Sequence, residues 1–188
     1  NEDKRYPFGP VQQHYGLPDH FLLFVGTLAP RKNLRLLLEA YHYLPPAHQL
    51  PLVVVGRGQR PDWQPHYPKA VHWLTDVTET QTLQTLYQAA QALIYPSHYE
   101  GFGLPIVEAL LSQTPVIAAR SSALLEAGGP HSLYVDPNDP TDCAAAIQQL
   151  LTQPQHAQKM RKKGLAYARE KFAPATLTAQ LLAHYHTL

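Results

Sequence analysis

The sequence predicts a three-layer α/β/α domain of Rossmann-like organisation, with a mostly parallel sheet and a C-terminal helical tail. Two observations predict it. Six apolar runs, each too short for a helix, alternate with helical patterns between Phe21 and Val135, which is the signature of a parallel sheet covered by helices on both faces. Beyond them the texture changes to successive helical stretches divided by Pro154 and Pro174. At 188 residues the chain is long enough to bury one full core, so residues 21–188 are expected to fold as one unit.

Each element has its own local reason. Residues 1–20 hold Pro7, Gly9, Pro10, Gly16 and Pro18 with little apolar periodicity, and read as an extended linker arriving from something upstream. Strands are expected over 21–25, 52–55, 71–74, 92–95, 115–118 and 132–135. Leu34, Leu37, Leu38 and Tyr41 fall at i, i+3, i+4 and i+7, as do Leu83, Leu86, Tyr87 and Ala90, so each set makes a helix with one buried stripe. Residues 141–151, 155–171 and 174–186 read as three consecutive helices. Most of the 18 prolines lie at element boundaries, where a missing N–H costs little.

Charge and composition exclude several classes. A formal net charge of +1 gives no strong field, so no nucleic-acid partner is expected and any anion must be bound locally. Cys143 is the single cysteine, which rules out an internal disulfide or a cysteine-based metal site. No apolar run approaches the roughly 20 residues that span a bilayer. The polar start Asn1-Glu2-Asp3-Lys4-Arg5 is not a secretory signal, and a cytoplasmic location is expected. The basic residues Lys159, Arg161, Lys162, Lys163, Arg169 and Lys171 read as a solvated helix face in preference to a peripheral membrane contact.

In doubly wound sheets ligands sit at the carboxyl ends of the strands, and four segments there carry chemistry. Gly26-Thr27-Leu28-Ala29-Pro30-Arg31-Lys32-Asn33 follows the first strand and enters a helix. Two cations at a helix start oppose the macrodipole; either they are solvated on a loop, or Arg31 and Lys32 hold an anion such as a diphosphate. Gly56-Arg57-Gly58 ends the second strand, where small residues allow close approach of a ligand and a plain turn explains them equally well. The segment from Ser97 to Glu108 has Gly101, Phe102, Gly103 and Leu104 just before Pro105. Pro105 as the first helical residue makes Leu104 a poor cap, leaving helix N–H groups for a ligand. Glu100 before that turn and Glu108 in the first helical turn are expected to reach one crevice, where carboxylates suit sugar and ribose hydroxyls; Glu108 is otherwise a favourable first-turn charge. Glu126, after the fifth strand, is either a third carboxylate on that edge or a turn residue.

In this order and spacing the segments resemble the C-terminal domain of retaining glycosyltransferases of the GT-B fold, specifically glycosyltransferase family 4. The likeness runs from about Phe21 to Phe172 and includes Val25-Gly26-Thr27, Pro30-Arg31-Lys32-Asn33, Val53-Val54-Val55-Gly56, Pro96-Ser97-His98-Tyr99-Glu100-Gly101-Phe102-Gly103-Leu104-Pro105, Glu108-Ala109, Gln113-Thr114-Pro115-Val116-Ile117-Ala118 and Tyr134-Val135-Asp136-Pro137. The resemblance implies a nucleoside-diphosphate-sugar donor and retaining transfer to an acceptor hydroxyl. It gives Lys32, with Arg31 beside it, to the diphosphate; Glu100 to donor sugar hydroxyls; Glu108 to the ribose; the backbone of Gly103 and Leu104 to sugar or phosphate; and the loop at 74–77 to the base. Many relatives carry an arginine where this chain has Thr27, and Arg31 is expected to substitute for it. The acceptor, a glycan, lipid or small molecule, is expected to bind an N-terminal domain preceding residues 1–20, without which the chain transfers no sugar. No metal and no further cofactor is expected: there is no Asp-x-Asp motif, and His184-Tyr185-His186 reads as helix surface. A nucleotide-sugar epimerase of similar architecture and a non-catalytic nucleotide-sugar-binding module are the alternatives. A dinucleotide oxidoreductase is disfavoured, since no Gly-x-Gly-x-x-Gly follows the first strand.

Overall fold

Continuous apolar runs bounded by glycine and proline become strands here, each within one residue of its expected place. A computed structural model describes residues 4–58 and 71–173. The strands are β1 (Leu22–Val25), β2 (Leu52–Val55), β3 (Val71–Leu74), β4 (Ala92–Tyr95), β5 (Val116–Ala119) and β6 (Leu133–Val135). They form one sheet in the order β3-β2-β1-β4-β5-β6, with every neighbouring pair parallel.

Strand side chains alternate between the two faces, so each run feeds two cores. Leu23, Val25, Val53, Val55, Leu93 and Tyr95 pack on one side with Leu86, Tyr87, Ile106 and Leu110. Leu22, Phe24, Leu52, Val54, Ala92 and Ile94 pack on the other with Leu34, Leu37, Leu38 and Ile147. The first face is covered by α3 (Thr80–Ala89), α4 (Leu104–Leu111) and α5 (Ser122–Gly128), the second by α2 (Leu34–Ala40) and α6 (Pro140–Thr152). Leu22, Leu23, Phe24, Leu37 and Leu93 are fully buried, each contributing about 1.5–3 kcal/mol of transfer free energy.

The segment expected to be extended carries a helix instead, α1 (Phe8–Tyr15). Pro7 serves as its N-cap, Pro10 lies in the first turn where no N–H is needed, and Gly16 at φ 61° closes it. Phe8, Val11 and Tyr15 lean on the first core, with the Phe8 ring centroid 5.8 Å from that of Phe21.

At the other end, Asp139 caps α6 by accepting from the Thr141 and Asp142 amides. The last described helix, α7 (Pro154–Lys171), docks where Arg161 donates to the carbonyls of Gln113 at 3.0 Å and Gln91 at 3.3 Å. Arg161 is thus turned inward and does not join the solvated basic face expected of it. The helix expected over 174–186, with His184 and His186, lies outside the described residues. No described helix is long and apolar enough to cross a membrane.

Candidate functional site

Strand order reverses direction at β1, which pairs with β2 on one side and β4 on the other. The crevice outside the carboxyl ends of such a pair is where doubly wound sheets place ligands. Lys32 follows β1 and Glu100 follows β4, so the topology alone brings their loops together.

Three local features hold the first loop. Residues Pro30–Lys32 form a single 3-10 turn ended by Asn33 at φ 55°, a left-handed position that Asn tolerates better than most residues. The Asn33 amide donates to the Pro96 carbonyl at 3.1 Å and the Pro137 carbonyl at 2.7 Å, clasping the loops that follow β1, β4 and β6. The His98 amide donates to the Arg31 carbonyl at 2.9 Å. The two cations therefore sit in a 3-10 turn ahead of α2 rather than in that helix's own first turn.

Lys32 is almost wholly buried, and its chain runs beneath Gly26, where a Cβ would lie 3.4 Å from Lys32 Cε. Its Nζ donates to the Tyr95 hydroxyl at 2.6 Å and to Glu100 Oε1 at 2.5 Å. Arg31 reaches the same oxygen at 3.2 Å and donates to the Tyr99 carbonyl at 3.3 Å, while half of its side chain stays in solvent. Burial pushes the Glu100 pKa up, but the hydrogen bond and charge of Lys32 lead the effects that outweigh it, leaving the carboxyl below its ordinary value. Burial, then Glu100, raise the Tyr95 pKa well above that of a free phenol. A buried ammonium and a half-exposed guanidinium thus share one carboxylate oxygen, a concentration of fixed donors of the kind that suits an anion.

Gly26 packs on the Lys32 side chain, and Gly56 packs on Gly26. Gly56 carries the tightest constraint, since a Cβ there would lie 1.8 Å from the Gly26 carbonyl oxygen. Thr27 and Gly101 are exposed. The Phe102 ring meets Phe172 edge-on at 5.4 Å, and Leu104 is 63% exposed. Gly103, at φ 101°, is itself the N-cap of α4, with no side-chain cap bond. Leu104 is therefore the first helical residue and not the cap, because only glycine takes that backbone conformation easily.

The earlier helix start moves Glu108 beyond the first turn, and the structure does not bring it to the cluster. Its carboxyl accepts from the Tyr87 hydroxyl at 2.9 Å, in a hollow of about 180 Å³ lined by Thr80, Leu83, Gln84, Tyr87, Leu111 and Ser112 as well as itself. None of Lys32, Arg31 or Glu100 lines that hollow. Burial raises the Glu108 pKa above its ordinary value, with the Tyr87 bond opposing. Glu126 leaves the set too: its side chain faces Lys171 at 3.7 Å and its carbonyl accepts from Tyr167. The sequence reading missed Tyr95 and the clasp role of Asn33. The available signal was a tyrosine closing an otherwise aliphatic run, since a buried hydroxyl needs a partner.

The family model described as glycosyl transferases group 1 matches residues 12–167. O-antigen chain mannosyltransferase B of Escherichia coli is 35% identical over 95% of this chain and 49% of its own length. Sucrose-phosphate synthase from Thermosynechococcus elongatus superposes with a TM-score of 0.75 at 26% identity, covering 100% of this chain and 51% of that one. HepE of Anabaena, solved in complex with UDP, gives a TM-score of 0.78 at 22% identity over 96% of this chain and 52% of its own, a likeness of fold. The chain spans about half the length of these proteins.

Proposed function

This chain belongs to the glycosyl transferases group 1 family, and from that premise we propose that it is the donor-binding, C-terminal half of a retaining glycosyltransferase. The observation that carries the reading is the buried Lys32 ammonium, tied to Glu100 beside Arg31 at the switch point of the sheet. In this reading the diphosphate of a nucleoside-diphosphate sugar takes the place of Glu100 on Lys32 and Arg31. The freed carboxylate then accepts from the hydroxyls of the donor sugar. Gly26, Gly56, Gly101 and Gly103 let the ligand approach the backbone, with Thr27, Phe102 and Leu104 at the rim. Glu108 serves the ribose, and the loop at 74–77 serves the base. HepE, of like fold, was solved with UDP, which supports a nucleotide ligand.

The chemistry follows from charge. As the glycosidic bond breaks, the leaving diphosphate gains negative charge, and fixed cations stabilise that state more than the ground state. The acceptor hydroxyl attacks from the same face, so configuration is retained. An acceptor domain completes the cleft, and this chain alone binds donor without transferring sugar.

Calorimetric titration of the chain with a panel of nucleotide sugars tests the reading. At least one is expected to bind, with Lys32→Ala and Glu108→Ala weaker. No binding by any of them, or unchanged affinity in Lys32→Ala, sinks it. Robust transfer by the isolated chain refutes the half-site part.

A further inference from the structure

We propose that Tyr95 is a positioning residue, whose buried hydroxyl fixes the Lys32 ammonium so that its remaining N–H donors face the crevice. The inference rests on the reading above, in which Lys32 meets a diphosphate. An ammonium has three N–H donors; one goes to Tyr95 at 2.6 Å and one to Glu100, which leaves one donor free while Glu100 is held and two once a diphosphate displaces it. The two partners differ in kind. Glu100 lies on a loop and is the anion that a diphosphate displaces. Tyr95 is the last residue of β4, paired with Ala118 of β5 and 1% exposed, so its hydroxyl stays when Glu100 leaves.

The difference matters because a long lysine stem regains rotamer freedom when its head is released. With Glu100 drawn off, the Tyr95 hydroxyl is the anchor that keeps this freedom from returning. The Tyr95 oxygen accepts from Lys32 Nζ, and its raised pKa keeps the phenol protonated and neutral beside the ammonium. Packing of the ring needs no hydroxyl, and Tyr95→Phe removes the anchor alone.

The test is a double-mutant cycle on the full chain, with inorganic pyrophosphate as the calorimetric probe. Tyr95→Phe is expected to weaken binding on the order of fivefold, and to add nothing in a Lys32→Met background. Tyr41→Phe is the control: that tyrosine is also buried, and its hydroxyl donates to the Leu50 carbonyl at 2.9 Å away from the site. It is expected to leave pyrophosphate affinity unchanged. Parent affinity in Tyr95→Phe, or an equal loss in the Lys32→Met background, overturns the role of Tyr95. Equal affinity of Lys32→Met and the parent overturns the reading of the site instead.

Discussion

Replacing Gly56 by alanine puts a single methyl group where the ends of β1 and β2 touch. The new Cβ lies 1.8 Å from the Gly26 carbonyl oxygen, whereas real Cβ contacts stop near 3.0 Å, so 1.2 Å of separation must be found. The obstacle is backbone, and backbone here is bonded on both sides. The Gly26 amide donates to Val55 at 2.9 Å and the Gly56 amide to Leu74 at 3.0 Å. Relief therefore stretches hydrogen bonds at the end of the sheet, a penalty of about 2–4 kcal/mol. For a domain of this size that is a fall in Tm of roughly 4–16 °C. Urea unfolding gives the free energy, and pyrophosphate titration reports the site, since moving Gly26 disturbs the roof over Lys32. A loss under about 1 kcal/mol, with binding intact, refutes the close contact on which the reasoning stands.

Other perturbations separate structure from chemistry. The folded Glu100 pKa is depressed, so its contribution to stability is present above the unfolded value and lost as pH falls through the folded one. Glu100→Gln is expected to flatten that acid loss in thermal melts taken on the acid side of the ordinary carboxylate range; an unchanged acid limb refutes the assignment. Glu108 has the opposite sign, because a raised folded pKa means that stability rises as pH falls through the folded value towards the unfolded one. Glu108→Gln, which still accepts from Tyr87, is expected to keep or slightly gain stability at neutral pH while losing donor affinity. A fall in stability without a loss of affinity gives Glu108 a structural role only. Arg161→Ala removes two hydrogen bonds from a charged donor to backbone carbonyls and is expected to lower stability by about 2 kcal/mol in urea unfolding, leaving pyrophosphate affinity unchanged.

Strand placement was legible because period-two burial on both faces leaves long apolar runs with sharp polar or glycine ends. The helix at Phe8–Tyr15 was not, since Pro7, Gly9 and Pro10 read as breakers. Their positions, before the helix and within its first turn, are those where a missing N–H does no harm. Phe8, Val11 and Tyr15 carry a helical period that the prolines obscured. At the site, Lys32, Arg31 and Glu100 were legible, because they follow the two strands flanking the switch point, and topology delivers them to one place. The Glu108 bond to Tyr87 was not legible, because it joins α4 to α3 across a helix–helix contact that the spacing of the two glutamates in the sequence does not reveal. Tyr95 is a question of parity: which face a strand's last residue takes depends on register, and register is set by neighbours distant in sequence.

The Asn33 clasp has a consequence for anyone altering this domain piece by piece. One amide binds the Pro96 and Pro137 carbonyls, so the peptide segments after β1, β4 and β6 share a fastening and have to be transplanted together. The stretch at 74–77 lies outside that fastening. If that stretch holds the base, as proposed above, it is the part to exchange first in trying to retune nucleotide choice while leaving the remaining architecture undisturbed.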